Sequence, residues 1–174
     1  MIGDFLFLDD DLCLFCKEEE KEEYFLCESC LNKLDFVDNE FEILGHRARI
    51  LYFYNPYMAS LIGDYKFNRN TSIYKVFGQI VFSYIKEKSM DNFDYILTTP
   101  SSKSVVNKRG FDHVKLICEF FIKNTNMAYL NTNYLLKIGQ KIWEILLLLM
   151  VIWPEKIFWF LTILLQVQIL LKKL

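Results

Sequence analysis

The chain has 174 residues, 53% of them hydrophobic and 17% aromatic, with 20 Lys and Arg against 22 Asp and Glu. That length holds one domain and a small appendage. A net charge of −2 excludes a global basic field drawing the chain to nucleic acid, so any such contact has to be local.

The first residues, MIGDFLFLDDD, have no basic start and carry acids where a signal peptide is apolar. A cytoplasmic chain is expected, with its five cysteines reduced or on metal rather than in disulfides. Four of them stand as Cys13-x2-Cys16 and Cys27-x2-Cys30. Each C-x2-C turn aims two thiolates at one point, and two such turns complete a tetrahedral shell. Zinc suits four thiolates, with iron the rarer alternative. The charged KEEEKEEY between them reads as a solvated hairpin tip. With no open ligand position, the metal's role is structural, replacing a core that so short a segment cannot build.

Residues 35–46 are acidic and read as an irregular linker. His46 stands without an acidic or cysteine neighbour in register and reads as a surface residue. Residues 49–54, RILYFY, predict a strand turned by Asn55-Pro56, and residues 57–66 a short helix. Thr71 is a candidate N-cap for a longer helix, whose Ile73, Val76, Phe77, Ile80, Val81, Tyr84 and Ile85 recur at three and four.

Residues 94–99 predict a short strand stopped by Pro100. A polar loop with Lys103, Lys108 and Arg109 follows, and Gly110-Phe111-Asp112 leads into a helix to about Lys123. Loops between a strand end and a helix start are where open α/β sheets bind ligands, and three cations with hydroxyls suit phosphate or pyrophosphate. His113 at the helix start is within reach of a phosphate in that loop but reads first as surface, and Cys118 reads as a small buried hydrophobe. Residues 127–130 predict the next strand, giving a right-handed parallel crossover.

Pro100, Lys103 and the run Lys108-Arg109-Gly110-Phe111-Asp112-His113 resemble the P…R/K…RGFN signature of the ComF family, with Asp112 where that family usually has Asn. Tyr65-Lys66-Phe67 looks like the same family's LKF segment, and the four-cysteine knuckle fits it too. The resemblance covers roughly residues 13–137. It implies an α/β fold with a type I phosphoribosyltransferase-like parallel sheet and a role in DNA uptake during natural competence. It also implies a cleft for phosphoribosyl pyrophosphate with magnesium. Lys103, Arg109, Gly110 and Asp112 would hold the pyrophosphate, the Gly110 amide included, with Lys66 near the cleft.

The pattern stops after Lys137. A type I phosphoribosyltransferase needs a strand ending in two acidic residues and a Thr/Gly-rich turn for the ribose 5′-phosphate. Residues 141–174 instead read KIWEILLLLMVIWPEKIFWFLTILLQVQILLKKL. Pro154-Glu155-Lys156 interrupts any continuous membrane span, so none is expected. A buried hairpin would need a large apolar partner surface. A frameshift is the favoured reading. In the shifted frame, the codons of residues 158–167 permit an acidic pair ahead of a Thr-Gly turn.

The organisation expected is therefore a zinc knuckle at residues 1–34, a partial phosphoribosyltransferase-like domain at 35–137 and an aberrant hydrophobic tail at 138–174. Without its ribose-phosphate loop the chain is expected to bind pyrophosphate weakly and to transfer nothing. The alternative is a non-catalytic module, its knuckle and Lys103–Arg109 loop binding single-stranded nucleic acid or a partner protein.

Overall fold

A computed structural model describes residues 11–43, 46–90, 95–97, 101–123, 125 and 128–130. A short 3₁₀ turn, Glu23–Phe25, and helix α1, Glu28–Leu31, lie within the cysteine segment. Strands β1, Phe36–Ile43, and β2, His46–Tyr52, come next, followed by helix α2, Pro56–Phe67. A second 3₁₀ turn, Thr71–Ile73, precedes helix α3, Tyr74–Glu87. Strand β3, Tyr95–Leu97, helices α4, Lys103–Arg109, and α5, His113–Ile122, and strand β4, Ala128–Leu130, complete the described chain.

The segment expected to be an irregular linker is a strand. β1 pairs antiparallel with β2, with Glu42 opposite Arg47 and Glu40 opposite Arg49. Across that register Glu40 and Arg49 form an ion pair, an opposite-charge pairing that neither strand shows alone. The register slips between Phe36 and Asn39, where Asp38 takes a left-handed φ of 45°. That bulge turns the Asp38 carboxylate to α3, where it accepts from the Tyr84 hydroxyl at 2.6 Å and pairs with Lys88 Nζ at 2.7 Å. Arg49 closes the group through ion pairs with Glu40 and Asp38.

α2 begins at an Asn55 cap that accepts from the Met58 amide at 2.8 Å, with Pro56 at the first turn. Its buried Met58, Leu61, Ile62 and Tyr65 follow helical spacing. α3 buries Val76, Phe77, Ile80, Val81, Tyr84 and Ile85, so its stripe is core as the sequence predicts. Thr71 sits in the 3₁₀ turn leading into that helix rather than capping it. α5 packs Val114, Cys118 and Phe121 against Val81 and Ile85 of α3 and Ile96 of β3. Cys118 is fully buried, as expected.

β3 and β4 pair in parallel, Tyr95 with Ala128 through Leu97 with Leu130, so the strand–helix–strand crossover is present. The type I phosphoribosyltransferase-like sheet is not. Among the described residues each sheet has two strands, and the hairpin β1–β2 is antiparallel and separate from β3–β4. Ligand clefts of open α/β sheets lie where strand order reverses across several parallel strands, and a lone pair has no such switch point. The readings that rest on that sheet fall with it: a ComF-type phosphoribosyltransferase, pentosyl transfer, and a role in competence. No helix among the described residues is long and apolar enough to cross a membrane. The proposed tail at 138–174 lies outside the described residues, and so do its frameshift and anchor readings.

Candidate functional site

The four spaced cysteines converge. The sulfurs of Cys13, Cys16, Cys27 and Cys30 all lie within 4.8 Å of one another, and Cys16 Sγ is 3.7 Å from Cys27 Sγ. A tetrahedral ion with bonds of about 2.3 Å to sulfur separates its ligands by about 3.8 Å, so the group fits zinc. Local structure explains the convergence. The first pair sits in a tight turn, with the Lys17 amide donating to the Cys13 carbonyl at 3.1 Å and Lys17 at a left-handed φ of 59°. The Cys13 amide donates to the Glu19 carbonyl at 2.8 Å, and Leu12 bridges Glu20, so KEEEK closes a small loop. The second pair opens α1, with Cys27 at its N-cap and Cys30 one turn on.

Cys13, Cys27 and Cys30 are buried and Cys16 is half-buried. Burial pushes the Cys13 thiol up, but the amides of Cys27, Cys16 and Phe15 outweigh it and bring it down to about 7. Burial raises Cys27 and Cys30, the Tyr57 hydroxyl working the other way on Cys30. Four thiols this close resist ionising together without a cation among them, and a divalent ion reverses that balance. Filled by four sulfurs, such an ion keeps no open position for substrate. Tyr57 is a residue the sequence reading passed over. It lies on the first turn of α2 and stacks edge-on to Phe15 at 5.2 Å, its hydroxyl close enough to Cys30 to act on that sulfur.

The second group surrounds α4. The expected loop is a helix there. Ser102 caps it by accepting from the Val105 amide at 3.3 Å, and Gly110 ends it at φ 90°, where a side chain would be strained. The Gly110 amide donates to the Val106 carbonyl at 2.7 Å and is thereby engaged within the chain. Lys103 and Arg109 stand at opposite ends of α4, about 9 Å apart along the axis at 1.5 Å per residue. The pairing of these two on one pyrophosphate thus requires long reaches from both. Asp112 caps α5: its Oδ1 accepts from the Val114 and Lys115 amides and from Ser101 Oγ, each at 3.2 Å. That carboxylate serves structure, as an Asn would.

Arg109 turns inward to a partner the sequence placed at the surface. His113 is 7% exposed, and Arg109 donates to its Nδ1 at 2.7 Å. An arginine only donates, so Nδ1 accepts and the neutral ring carries its proton on Nε2. The Tyr65 hydroxyl donates to the His113 carbonyl, which seats α5's first turn against α2. Lys66, 3% exposed on α2, lies near enough that its charge and that of Arg109 both act on His113. Burial first, then Arg109, lowers Lys66 to about 7. Burial, then Lys66 and Arg109, lowers His113 to about 3. The structure thus pairs Arg109 with His113, buries Lys66 where the charge of Arg109 acts on it, and sets Lys103 at the far end of α4. The missed signal was Tyr65 seven residues after Met58, placing Lys66 beside the buried stripe of α2.

Compared with known proteins, the chain matches no family model, no curated protein and no solved structure. The part of the ComF resemblance that the structure bears out is therefore the coarser one, a four-cysteine cluster near the N-terminus able to chelate a metal ion.

Proposed function

We propose that this chain is a non-catalytic metal-binding module whose cysteine centre holds a structural zinc and whose α4 surface binds single-stranded nucleic acid. The observation that carries it is the convergence of four cysteine sulfurs within 4.8 Å, a closed shell suited to scaffolding rather than chemistry. The strand-binding half is supported by α4 itself. Lys103, Ser104, Asn107 and Lys108 are exposed and Arg109 half-buried, and no acidic residue interrupts residues 101–111. Phe67, 66% exposed at the end of α2, offers a flat ring to an unpaired base. Local cations and one platform, on a chain of net charge −2, suit weak and salt-sensitive binding.

The test is fluorescence anisotropy with a labelled twelve-nucleotide single strand across a salt series. Three cations predict a slope of log affinity on log salt near −2, from about 0.7 per phosphate contact on single strands. A Lys103→Glu, Lys108→Glu double variant should bind at least about tenfold more weakly. Equal binding by that variant, or affinity independent of salt, would show that the strand is not held on α4.

A further inference from the structure

Away from both clusters, the described residues enclose a cavity of about 300 Å³ between the knuckle, the β1–β2 hairpin and α3. That is the small end of ligand pockets, which run to about 300–1,000 Å³. Its α3 wall is Ile80, Ser83, Tyr84 and Glu87, which share one helix face at spacings of three and four. Leu51 and Ile80, 2% and 6% exposed, lie deep in it. Phe36, 56% exposed, and the exposed Glu87 stand at its mouth. None of its walls comes from α4 or α5, so its occupancy is independent of the nucleic-acid reading.

Four of the lining residues are aromatic: Tyr24, Phe36, Tyr52 and Tyr84. Tyr84 is already engaged, with Arg49 and Lys88 5.9 and 5.6 Å from its ring centre and its hydroxyl donating to Asp38. The rings left to a ligand are Tyr24, Phe36 and Tyr52. Phe36 and Tyr52 meet edge to face, 5.4 Å between centroids and 69° between planes, so they wall a corner instead of covering each other. Tyr24 joins them from the knuckle at a left-handed φ of 54°, a conformation a tyrosine holds only at a cost. Aromatic faces are negative and draw cations. The surrounding charge agrees. Glu87 is the one charged side chain lining the cavity among the described residues. The ion-paired group around Tyr84 joins Asp38, Glu40 and Glu87 to Arg49 and Lys88, three carboxylates to two cations. That excess disfavours a phosphate or any other anion and favours a cation. An ammonium bearing N–H groups needs an acceptor for each, and Glu87 already lies 3.3 Å from Lys88. A quaternary ammonium has no N–H to satisfy. We infer that this cavity binds a quaternary ammonium group, its methyls against Tyr24, Phe36 and Tyr52 and its charge balanced by Glu87. Choline-like small molecules and a trimethylated lysine side chain present the same group.

The experiment titrates the full chain with choline, with its uncharged carbon isostere 3,3-dimethylbutan-1-ol, and with ethanolamine, which has N–H groups in place of the methyls. Binding is read by saturation-transfer NMR on the ligand protons. Choline should bind at millimolar concentration or below, and about tenfold more tightly than either analogue. Phe36→Ala removes a ring that is more than half exposed, and Glu87→Gln removes the counter-charge; each should weaken choline about threefold or more. The Lys103→Glu, Lys108→Glu variant should bind choline unchanged, which separates this site from α4. A short peptide with one trimethyl-lysine, beside its unmodified twin, tells the two sources apart. Tighter binding of the modified peptide than of choline assigns the site to a protein partner, and the reverse assigns it to a small molecule; either supports the cavity as a quaternary-ammonium site. Because the first comparison uses the unaltered chain, a variant that fails to fold does not remove the test. An analogue binding as tightly as choline overturns the inference, as does no binding by about 10 mM choline. Choline binding that survives both Phe36→Ala and Glu87→Gln places the ligand elsewhere and overturns it too.

Discussion

Stripping the metal should unfold much more than the knuckle. Cys13, Leu26, Cys27 and Cys30, each 2% exposed or less, belong to one apolar cluster with Leu51 of β2, Leu61 and Tyr65 of α2, and Ile73, Val76 and Ile80 before and along α3. The segment before β1 is therefore one wall of the core. Structural zinc sites of four ligands contribute apparent free energies of about 10–16 kcal/mol at neutral pH. A domain's entire stability is about 5–15 kcal/mol. Even a third of the metal term, lost through Cys30→Ser, is about 3 kcal/mol and should lower the melting temperature by 10 °C or so. The assay pairs metal analysis by atomic emission with thermal unfolding followed by circular dichroism, before and after a chelator. The unaltered chain should carry one zinc and lose its transition on chelation. Cys118→Ser should melt earlier, since it buries a hydroxyl in α5, yet keep the same metal content. Protein purified without zinc or iron, with four thiols reacting freely and a melting curve indifferent to chelator, would refute the metal centre.

Gly78→Ala should destabilise the chain, because a Cβ there meets Phe120 Cδ1 at 2.5 Å and its Cβ at 3.1 Å. The overpacking costs about 1–3 kcal/mol, more than the roughly 1 kcal/mol gained in helix propensity; a urea midpoint that rises would disprove the close α3–α5 contact. Lys66 makes stability rise with pH: the folded state sheds this proton near 7, the unfolded state keeps it to about 10.5, and between them the unfolded state binds more protons. Arg109 of α4 acts on it, and His113 of α5, held down to about 3, stays neutral between pH 7 and 10. Urea unfolding should therefore show the Lys66→Met advantage over the unaltered chain shrinking by at most about 4 kcal/mol between those pH values; an advantage independent of pH would mean that Lys66 is solvated.

The sequence carried the parts whose signal is local. Paired C-x2-C turns announced the cysteine cluster, and α5 followed from an Asp112 cap ahead of Val114, Ile117, Cys118 and Phe121. β1 was hidden because FVDNEFEI alternates poorly and is acidic; it becomes a strand through the basic strand it pairs with, 36 to 52 in register. α4 was within reach, since Ser102 and Gly110 bracket it as cap and stop, but its polar run suggested a loop bound to phosphate. His113 was misplaced for a tertiary reason: position one of a helix is exposed in isolation, and only the Tyr65 hydroxyl and the Arg109 guanidinium draw it inward. The expected large parallel sheet came from resemblance rather than from pattern. The pattern itself supported one crossover, and one parallel pair is what β3 and β4 form.

α2 explains why a closed metal shell matters to a function it cannot perform. An ion surrounded by four protein sulfurs neither polarises a substrate nor activates water, so its contribution is positional. Asn55 caps α2 while its side-chain amide donates to the Lys33 carbonyl and the Asp35 carboxylate, three and five residues past Cys30. Two residues on, Tyr57 leans against Phe15 and acts on Cys30. Nine residues later, about 13–14 Å along the axis, Lys66 is buried where the charge of Arg109 acts on it, with Tyr65 holding α5 by the His113 carbonyl. Each end of this helix is thus tied to one of the two clusters. A buried lysine beside an arginine is held there against their repulsion only if the helix presenting it is anchored elsewhere. The knuckle supplies that anchor, and the core cluster running from Cys13 to Tyr65 and Phe77 makes it rigid.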